Sequence, residues 1–199
     1  VDKRQVDMNT KRKIEEKEVA QKLDWKMISK VFVLFLLDMV PFYLLFTFLP
    51  NYKVMFLGQD GANVWFYNSL AMIIIALCTP FFGKLADAYG SIRWLKISAL
   101  GFVVVSFFYP WNACAWPIIF ALLMSICYGS LYGLIALIFP EHVRARVAGM
   151  LYNITGSLSI GLIPIIAAYL AGYSFAYVGM FLAFVCGCIW LVLNSLKEE

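Results

Sequence analysis

The sequence predicts an all-α membrane protein, a bundle of six transmembrane helices preceded by a cytoplasmic amphipathic segment. Three observations carry that prediction: composition, six long apolar runs and the distribution of basic residues. The 199 residues are 63% hydrophobic and 14% charged, far from the roughly 45–50% apolar and 25% charged of soluble domains. Crossing a hydrocarbon core of about 30 Å takes about 20 apolar residues. The six runs lie at approximately 31–57, 63–83, 92–110, 116–139, 146–171 and 174–195, and each is long enough. Summed over alternate connections, 15 of the 16 Lys and Arg fall on one side and Lys53 alone on the other. By the positive-inside rule both termini are then cytoplasmic, which agrees with an even number of spans.

Residues 1–30 form the amphipathic segment and 31–199 the bundle. Within 10–29, Ile14, Val19, Ala20, Leu23 and Met27 recur at mostly three- or four-residue spacing, after a helix cap at Asn9 or Thr10. Lys and Glu fill the other face. That pattern suits a helix lying on the membrane surface, and a solvated helix without lipid contact is the alternative. Nine Lys and Arg occur in 1–30, but six carboxylates are interleaved with them, so nothing there forms a basic groove for nucleic acid. The first apolar run is longer than a signal-peptide core.

Trp65, Trp94, Trp111 and Trp116 stand near span ends, as interfacial anchors do. Gly129 and Gly133 form a GxxxG in the fourth span, and Gly156, Ser157 and Gly161 line the fifth, allowing helices to approach closely. The sequon at Asn153-Ile154-Thr155 lies at membrane depth and is discarded. Five cysteines, Cys78, Cys114, Cys127, Cys186 and Cys188, lie mostly inside apolar runs and read as ordinary thiols rather than a disulfide framework. Cys186 and Cys188 project about 200° apart on a helix, which disfavours a shared metal, and no metal or cofactor is expected.

Asp38 is the only carboxylate inside a span. It lies eight residues beyond Lys30, about 12 Å along a helix. At that depth an ionisable side chain normally faces a cavity or a partner and is suited to proton exchange. Pro41, nearly one turn later, frees a backbone carbonyl and can bend the span. Three roles remain open for Asp38: transport chemistry, a structural hydrogen bond, or a position at the membrane edge. Asn68, Ser125, Tyr128, Tyr132, Tyr152, Asn153 and Ser157 are also polar groups at depth, joined by Phe42 and Tyr43 in the first span. Aromatic faces can hold a quaternary ammonium, so a small zwitterion such as a betaine fits this inventory. Packing tyrosines that donate hydrogen bonds between helices are the alternative. We expect Asp38, Tyr43, Tyr128, Tyr132, Tyr152 and Asn153 to face one cavity, forming a substrate and proton pathway.

The inventory argues against an enzyme. An intramembrane serine protease needs a Ser and a His within reach of each other, and the single histidine, His142, falls in a connection between spans. An aspartyl protease needs two carboxylates at depth and this chain has one. Nothing resembles a phosphate-cradling loop or a metal-ligand cluster.

After the second span the chain reads Gly83-Lys84-Leu85-Ala86-Asp87-Ala88-Tyr89-Gly90. This resembles the G-x-L-A-D-R-x-G signature of the major facilitator superfamily, with Ala88 and Ser91 where basic residues are usual. The resemblance implies a cytoplasmic latch built from Gly83, Asp87, Gly90, Arg93 and Arg144, in which Asp87 sits near the positive end of the next helix. A second stretch, Phe139-Pro140-Glu141-His142-Val143-Arg144 followed by Tyr152-Asn153 and Gly161-Leu162-Ile163-Pro164, is similar to the tenth and eleventh helices of the metabolite:proton symporter group that contains proline/betaine and dicarboxylate transporters. Leu137 departs from the glutamate often found before the F-P pair. Phe42-Tyr43 with Leu49-Pro50-Asn51-Tyr52 resembles that group's seventh helix.

The resemblance covers the chain as the second half of a family member, with the amphipathic segment in the place of the central loop. It implies half of a secondary transporter in which solute binds between two six-helix halves. Proton-coupled symport of proline, betaine or a carboxylate in a bacterial inner membrane follows from it. The implied partners are the lipid bilayer, a small solute with protons, and a complementary six-helix half or another copy of the chain. A six-helix accessory or assembly subunit, or a non-transporting remnant of a truncated transporter gene, is the alternative. Val1 in place of Met is compatible with a fragment, a non-ATG start or a processed chain.

The orientation has a direct check. Single cysteines at Gln5, Asp60, Asn112 and Glu198 should divide into two classes, with 5 and 198 labelled by an impermeant reagent from the cytoplasmic side and 60 and 112 from the other. Cytoplasmic labelling of 60 and 112 would invert the topology.

Overall fold

The computed structural model describes residues 25–107, 116–139 and 141–195, and all regular structure among them is helical. The first helix, α1 (Trp25–Phe42), continues without a break through a π-helical stretch (Tyr43–Phe48) into α2 (Leu49–Met55). There follow α3 (Gly61–Tyr89), α4 (Ser91–Ser106), α5 (Trp116–Ile138), α6 (Glu141–Tyr173) and α7 (Phe175–Asn194). Among the described residues, five helical rods are long and apolar enough to cross a membrane: Met27–Met55, Gly61–Tyr89, Trp116–Ile138, Arg144–Tyr173 and Phe175–Asn194. The expected third span is represented by α4, 16 residues long, and its remainder lies outside the described residues. So do residues 1–24, which hold most of the expected amphipathic segment, as well as Trp111, Cys114 and the C-terminal Lys197. From Trp25 onward the chain is already in α1, six residues ahead of the expected start of the first span.

Hydrocarbon offers no hydrogen bonds, so each span must satisfy its own backbone. The connections are correspondingly tight. Asp60 caps α3, its carboxylate accepting from the amides of Ala62 (3.2 Å) and Asn63 (3.4 Å). A single residue, Gly90, joins α3 to α4 at φ +96°, a left-handed backbone that glycine adopts without the strain a side chain would bring. Ser174 alone joins α6 to α7, accepting from the amide of Ala176 (3.4 Å). Arg144 donates from Nε to the carbonyl of Phe139 (3.2 Å), tying the joint between α5 and α6.

The two enclosed helices are α1 and α5, whereas α3 and α6 are largely exposed. α3 runs along α5, α4 packs between α5 and α7, and α1 lies against α6 and α7 with a smaller contact to α5. Phe35, Leu37 and Leu44 of the first rod meet Phe102, Phe120, Met124, Leu131 and Leu182 in one apolar core. The Ser98 hydroxyl crosses from α4 to the carbonyl of Leu123 in α5 (3.0 Å). Ser125, Ser130 and Thr155 instead donate back to the carbonyl four residues earlier in their own helices.

The closest approach of backbones is between α3 and α5. A Cβ on Gly129 would stand 2.6 Å from the Gly83 amide nitrogen and 2.9 Å from the Thr79 carbonyl oxygen, so only hydrogen fits. One turn on, Gly133 faces the Asp87 and Ser91 side chains. The GxxxG of the fourth span is therefore an intramolecular seat. In the fifth span Gly156 meets Met39, while nothing packs within 4 Å of where a Cβ on Gly161 would lie.

Gly129→Ala must push α3 away from α5 and should cost about 1–3 kcal/mol. Gly133→Ala, whose Cβ would have 3.6 Å to its nearest neighbour, should be nearly silent. Thermal denaturation of the purified protein in detergent reads both, and equal stability of the two variants would refute the close seat.

Candidate functional site

The site grows from the first rod. Asp38 is enclosed, with 1% of its surface exposed, because its face of α1 is the one turned to α5. The Tyr132 hydroxyl of α5 donates to its Oδ2 at 3.1 Å. Tyr128, one turn earlier on α5, is also within hydrogen-bonding range of the carboxyl, and its ring lies 6.2 Å from that of Tyr132. The i, i+4 spacing of the two tyrosines places both hydroxyls on one face. No cationic side chain pairs with the carboxyl among the described residues. An unpaired buried charge is expensive, so this carboxyl is either neutral or stabilised by the hydroxyls beside it.

Tyr132 has a second aspect. Its ring is 45% exposed and borders an open cleft of about 330 Å³, lined also by Phe35, Ile135, Ala148, Gly149, Tyr152 and Asn153. Tyr152 of α6 stands edge-on to Phe35 at 5.6 Å and interacts through its hydroxyl with Tyr132. Small residues on α6, Ala145, Ala148 and Gly149, leave the space. The arrangement is a buried acid, a hydroxyl touching it, and an aromatic-walled opening on the far side of that hydroxyl.

Of the six residues expected to share a cavity, Tyr132 is hydrogen-bonded to Asp38, Tyr128 stands beside that pair, Tyr152 abuts Tyr132, and Asn153 lines the cleft without touching the acid. Tyr43, half-buried, opens the π-helical stretch and sits near Tyr152 and edge-on to Phe42. The other polar residues at depth lie elsewhere. Ser125 bonds within its own helix, and Ser157 is exposed on α6. Asn68 of α3 is buried and donates to the carbonyl of Phe46 (3.4 Å) in the π-helical stretch.

Sequence reasoning missed that stretch and the part played by Phe35. Pro41 signalled a disturbed helix, but a π-helical insertion depends on tertiary support such as the Asn68 bond. Phe35 was legible as the residue one turn before Asp38. Lys53, the one basic residue counted on the far side, is buried, in a crevice with Leu45, Leu49, Pro50, Val64 and Pro117.

The latch residues divide by element. Gly83 and Asp87 face Gly129 and Gly133 in register across the α3–α5 seam. Gly90 makes the turn, Arg93 is exposed on α4, and Arg144 serves the α5–α6 joint. The amide end of α4 is capped by no side chain, so Asp87 turns toward α5 rather than capping the next helix. The side chain of His142 lies outside what the structure describes.

The family model of the Major Facilitator Superfamily matches residues 4–164. The Inner membrane metabolite transport protein YhjE of Escherichia coli (strain K12) is 29% identical over 187 residues, covering 85% of this chain and 42% of that protein. The Lysosomal dipeptide transporter MFSD1 of Bos taurus is 27% identical over 189 residues, with 89% and 39% covered. The Proline/betaine transporter of Escherichia coli (strain K12) is 26% identical over 166 residues, with 79% and 33% covered. The chain thus spans less than half the length of each of these relatives. No solved structure matches it.

Because Asn68 supplies a donor to the π-helical stretch, Asn68→Ala should destabilise the protein by about 1 kcal/mol. Amide hydrogen exchange in Tyr43–Phe48 should quicken. Unchanged exchange there would detach Asn68 from support of this stretch.

Proposed function

We propose, because the chain belongs to the Major Facilitator Superfamily, that this integral membrane protein is one six-helix half of a secondary transporter that couples proton movement to symport of a small zwitterion or carboxylate such as proline or betaine. The observation that carries the reading is Asp38: a buried carboxyl, held by the Tyr132 hydroxyl and with no cation paired to it among the described residues, behind the wall of an aromatic cleft. Such a group changes its charge by exchanging a proton, and when ionised it can be neutralised by a cationic group arriving from the cleft. Either event alters the polarity of the wall that a solute meets. Metabolite transport and proline/betaine transport, the activities named for two of the relatives, support the substrate class.

The solute path runs between this bundle and a complementary one, or a second copy of it, with Tyr43, Tyr128, Tyr132, Tyr152 and Asn153 beside Asp38 along it. Gly83, Asp87, Gly90, Arg93 and Arg144 form the cytoplasmic latch, in which the α3–α5 seat holds Asp87 at a fixed height. The positive-inside count supports a bacterial inner membrane with both termini cytoplasmic. Transport moves the solute without making or breaking its bonds, so no cofactor or catalytic residue is required.

Uptake of labelled proline or betaine into vesicles, with and without an imposed proton gradient, tests this in the assembled transporter. Asp38→Asn should abolish uptake or uncouple it from the gradient, while Asp38→Glu should retain part of the activity. Wild-type uptake and gradient dependence in Asp38→Asn would assign the carboxyl to packing.

A further inference from the structure

Asp38 presents a difficulty that its proposed role makes acute. The carboxyl is sealed, with 1% of its surface exposed, yet exchange requires a route to water. The groups that face it are few. Tyr128 and Tyr132 stand against it from α5, Tyr152 of α6 lies beyond Tyr132 with Tyr43 in its neighbourhood, and Cys127 of α5, with Cys186 of α7 near it, turns toward Ser98 of α4. No Lys, Arg or His pairs with it among the described residues. Both cysteines are fully enclosed, so they lead nowhere. Tyr128 stands beside the acid but does not border the cleft. Tyr132 alone both touches the carboxyl and lines the opening, and Tyr152 continues from it to the exposed surface of α6.

We propose that Tyr132 is the positioning residue through which Asp38 exchanges its proton with water in the cleft, with Tyr152 as the outer member of the relay. This rests on the reading of Asp38 as the proton-exchanging group. A hydronium ion in the cleft gives a proton to the Tyr152 oxygen, Tyr152 passes its own to the Tyr132 oxygen, and Tyr132 passes its own to Asp38 Oδ2. Each hydroxyl ends with the single proton it began with. The water is left neutral, and the net change is one proton moved from the cleft to the carboxylate; release runs the same chain in reverse. The ring of Tyr132 meanwhile keeps bulk solvent from the acid, so the carboxyl communicates with one opening only.

The test uses the full chain in lipid nanodiscs and does not depend on uptake. After a pH jump, the carboxylic C=O stretch of Asp38 is followed by time-resolved infrared spectroscopy, the band being identified by its loss in Asp38→Asn. Tyr132→Phe should displace the band, because a hydrogen bond is lost, and should slow its appearance roughly a hundredfold, the low end of what a positioned proton-transfer group contributes. Tyr152→Phe should slow it without displacing it. Tyr128→Phe should displace it at an unchanged rate.

Wild-type rates in Tyr132→Phe or in Tyr152→Phe would overturn the relay. Should Tyr132→Phe fail to fold, as circular dichroism would reveal, the Tyr152→Phe rate decides alone. A titrating band with no role for either tyrosine overturns the relay and leaves Asp38 as the exchanging group. No Asp38 band at any pH overturns both.

Discussion

Within the apolar interior of this bundle, a polar atom has only the protein to turn to, and that constraint organises most of what the structure does with its few polar side chains. Ser125, Ser130 and Thr155 return their hydroxyl protons to their own helices. Ser98 spends its proton on a neighbouring helix. Thr79, immediately before Pro80, donates to the carbonyl of Ile75 (2.6 Å), one residue before the Ala76 carbonyl whose helical donor the proline removes. Asp38 is the hardest case, since a carboxyl needs donors on both oxygens when charged. The Tyr132 hydroxyl meets that need at Oδ2, with Tyr128 beside it one helical turn earlier, and the pair sets how α5 is rotated against α1.

The first rod illustrates how a helix can be disturbed and still cross a membrane. Pro41 removes one donor, and the chain answers with a wider π-helical turn at Tyr43–Phe48 before resuming as α2. The carbonyl of Phe46 is met by Asn68 from α3. At the far end the rings of Tyr52, Phe56 and Phe175 stack at 4.8–5.1 Å, joining α2 to the start of α7. The disturbance is thus bracketed by Asp38 on one side and an aromatic clasp on the other, and both brackets are contacts with other helices.

How much of this was legible in the sequence follows from which forces are local. Span positions were readable, because hydropathy is a property of consecutive residues, and family membership was readable from Gly83–Gly90 and Phe139–Arg144. The grouping of Asp38 with Tyr128 and Tyr132 was anticipated from the cost of polar groups at depth. Sequence alone could not distinguish Asn68 from them, since a donor aimed at a helix carbonyl and a donor aimed at a cavity have the same composition. The π-helical stretch was invisible for a related reason, because its support comes from 22 residues away. Gly129 was recognised as a close-approach residue, but its partner Gly83 had been read only as part of a loop motif. The two signals are one contact seen from two helices.

The placement of the cleft follows from how unevenly the helices hold each other. α5 is gripped along its length by α3 through the Gly83–Gly129 seat and by α4 through Ser98 and Leu123. α6 belongs to the other side of the molecule, packed on α1, α7 and the π-helical stretch and touching α5 sparingly. Among the described residues the seam between α5 and α6 is therefore sparsely packed, bordered by Tyr132 on one side and Tyr152 on the other and closed at one end by the turn that Arg144 ties. A shift of α6 along this seam would change the width of the cleft while leaving the α3–α5 seat intact. Asp38 lies behind the stationary side of that seam, on α1 and held by α5, so the acid keeps its donors while the opening beside it is free to vary.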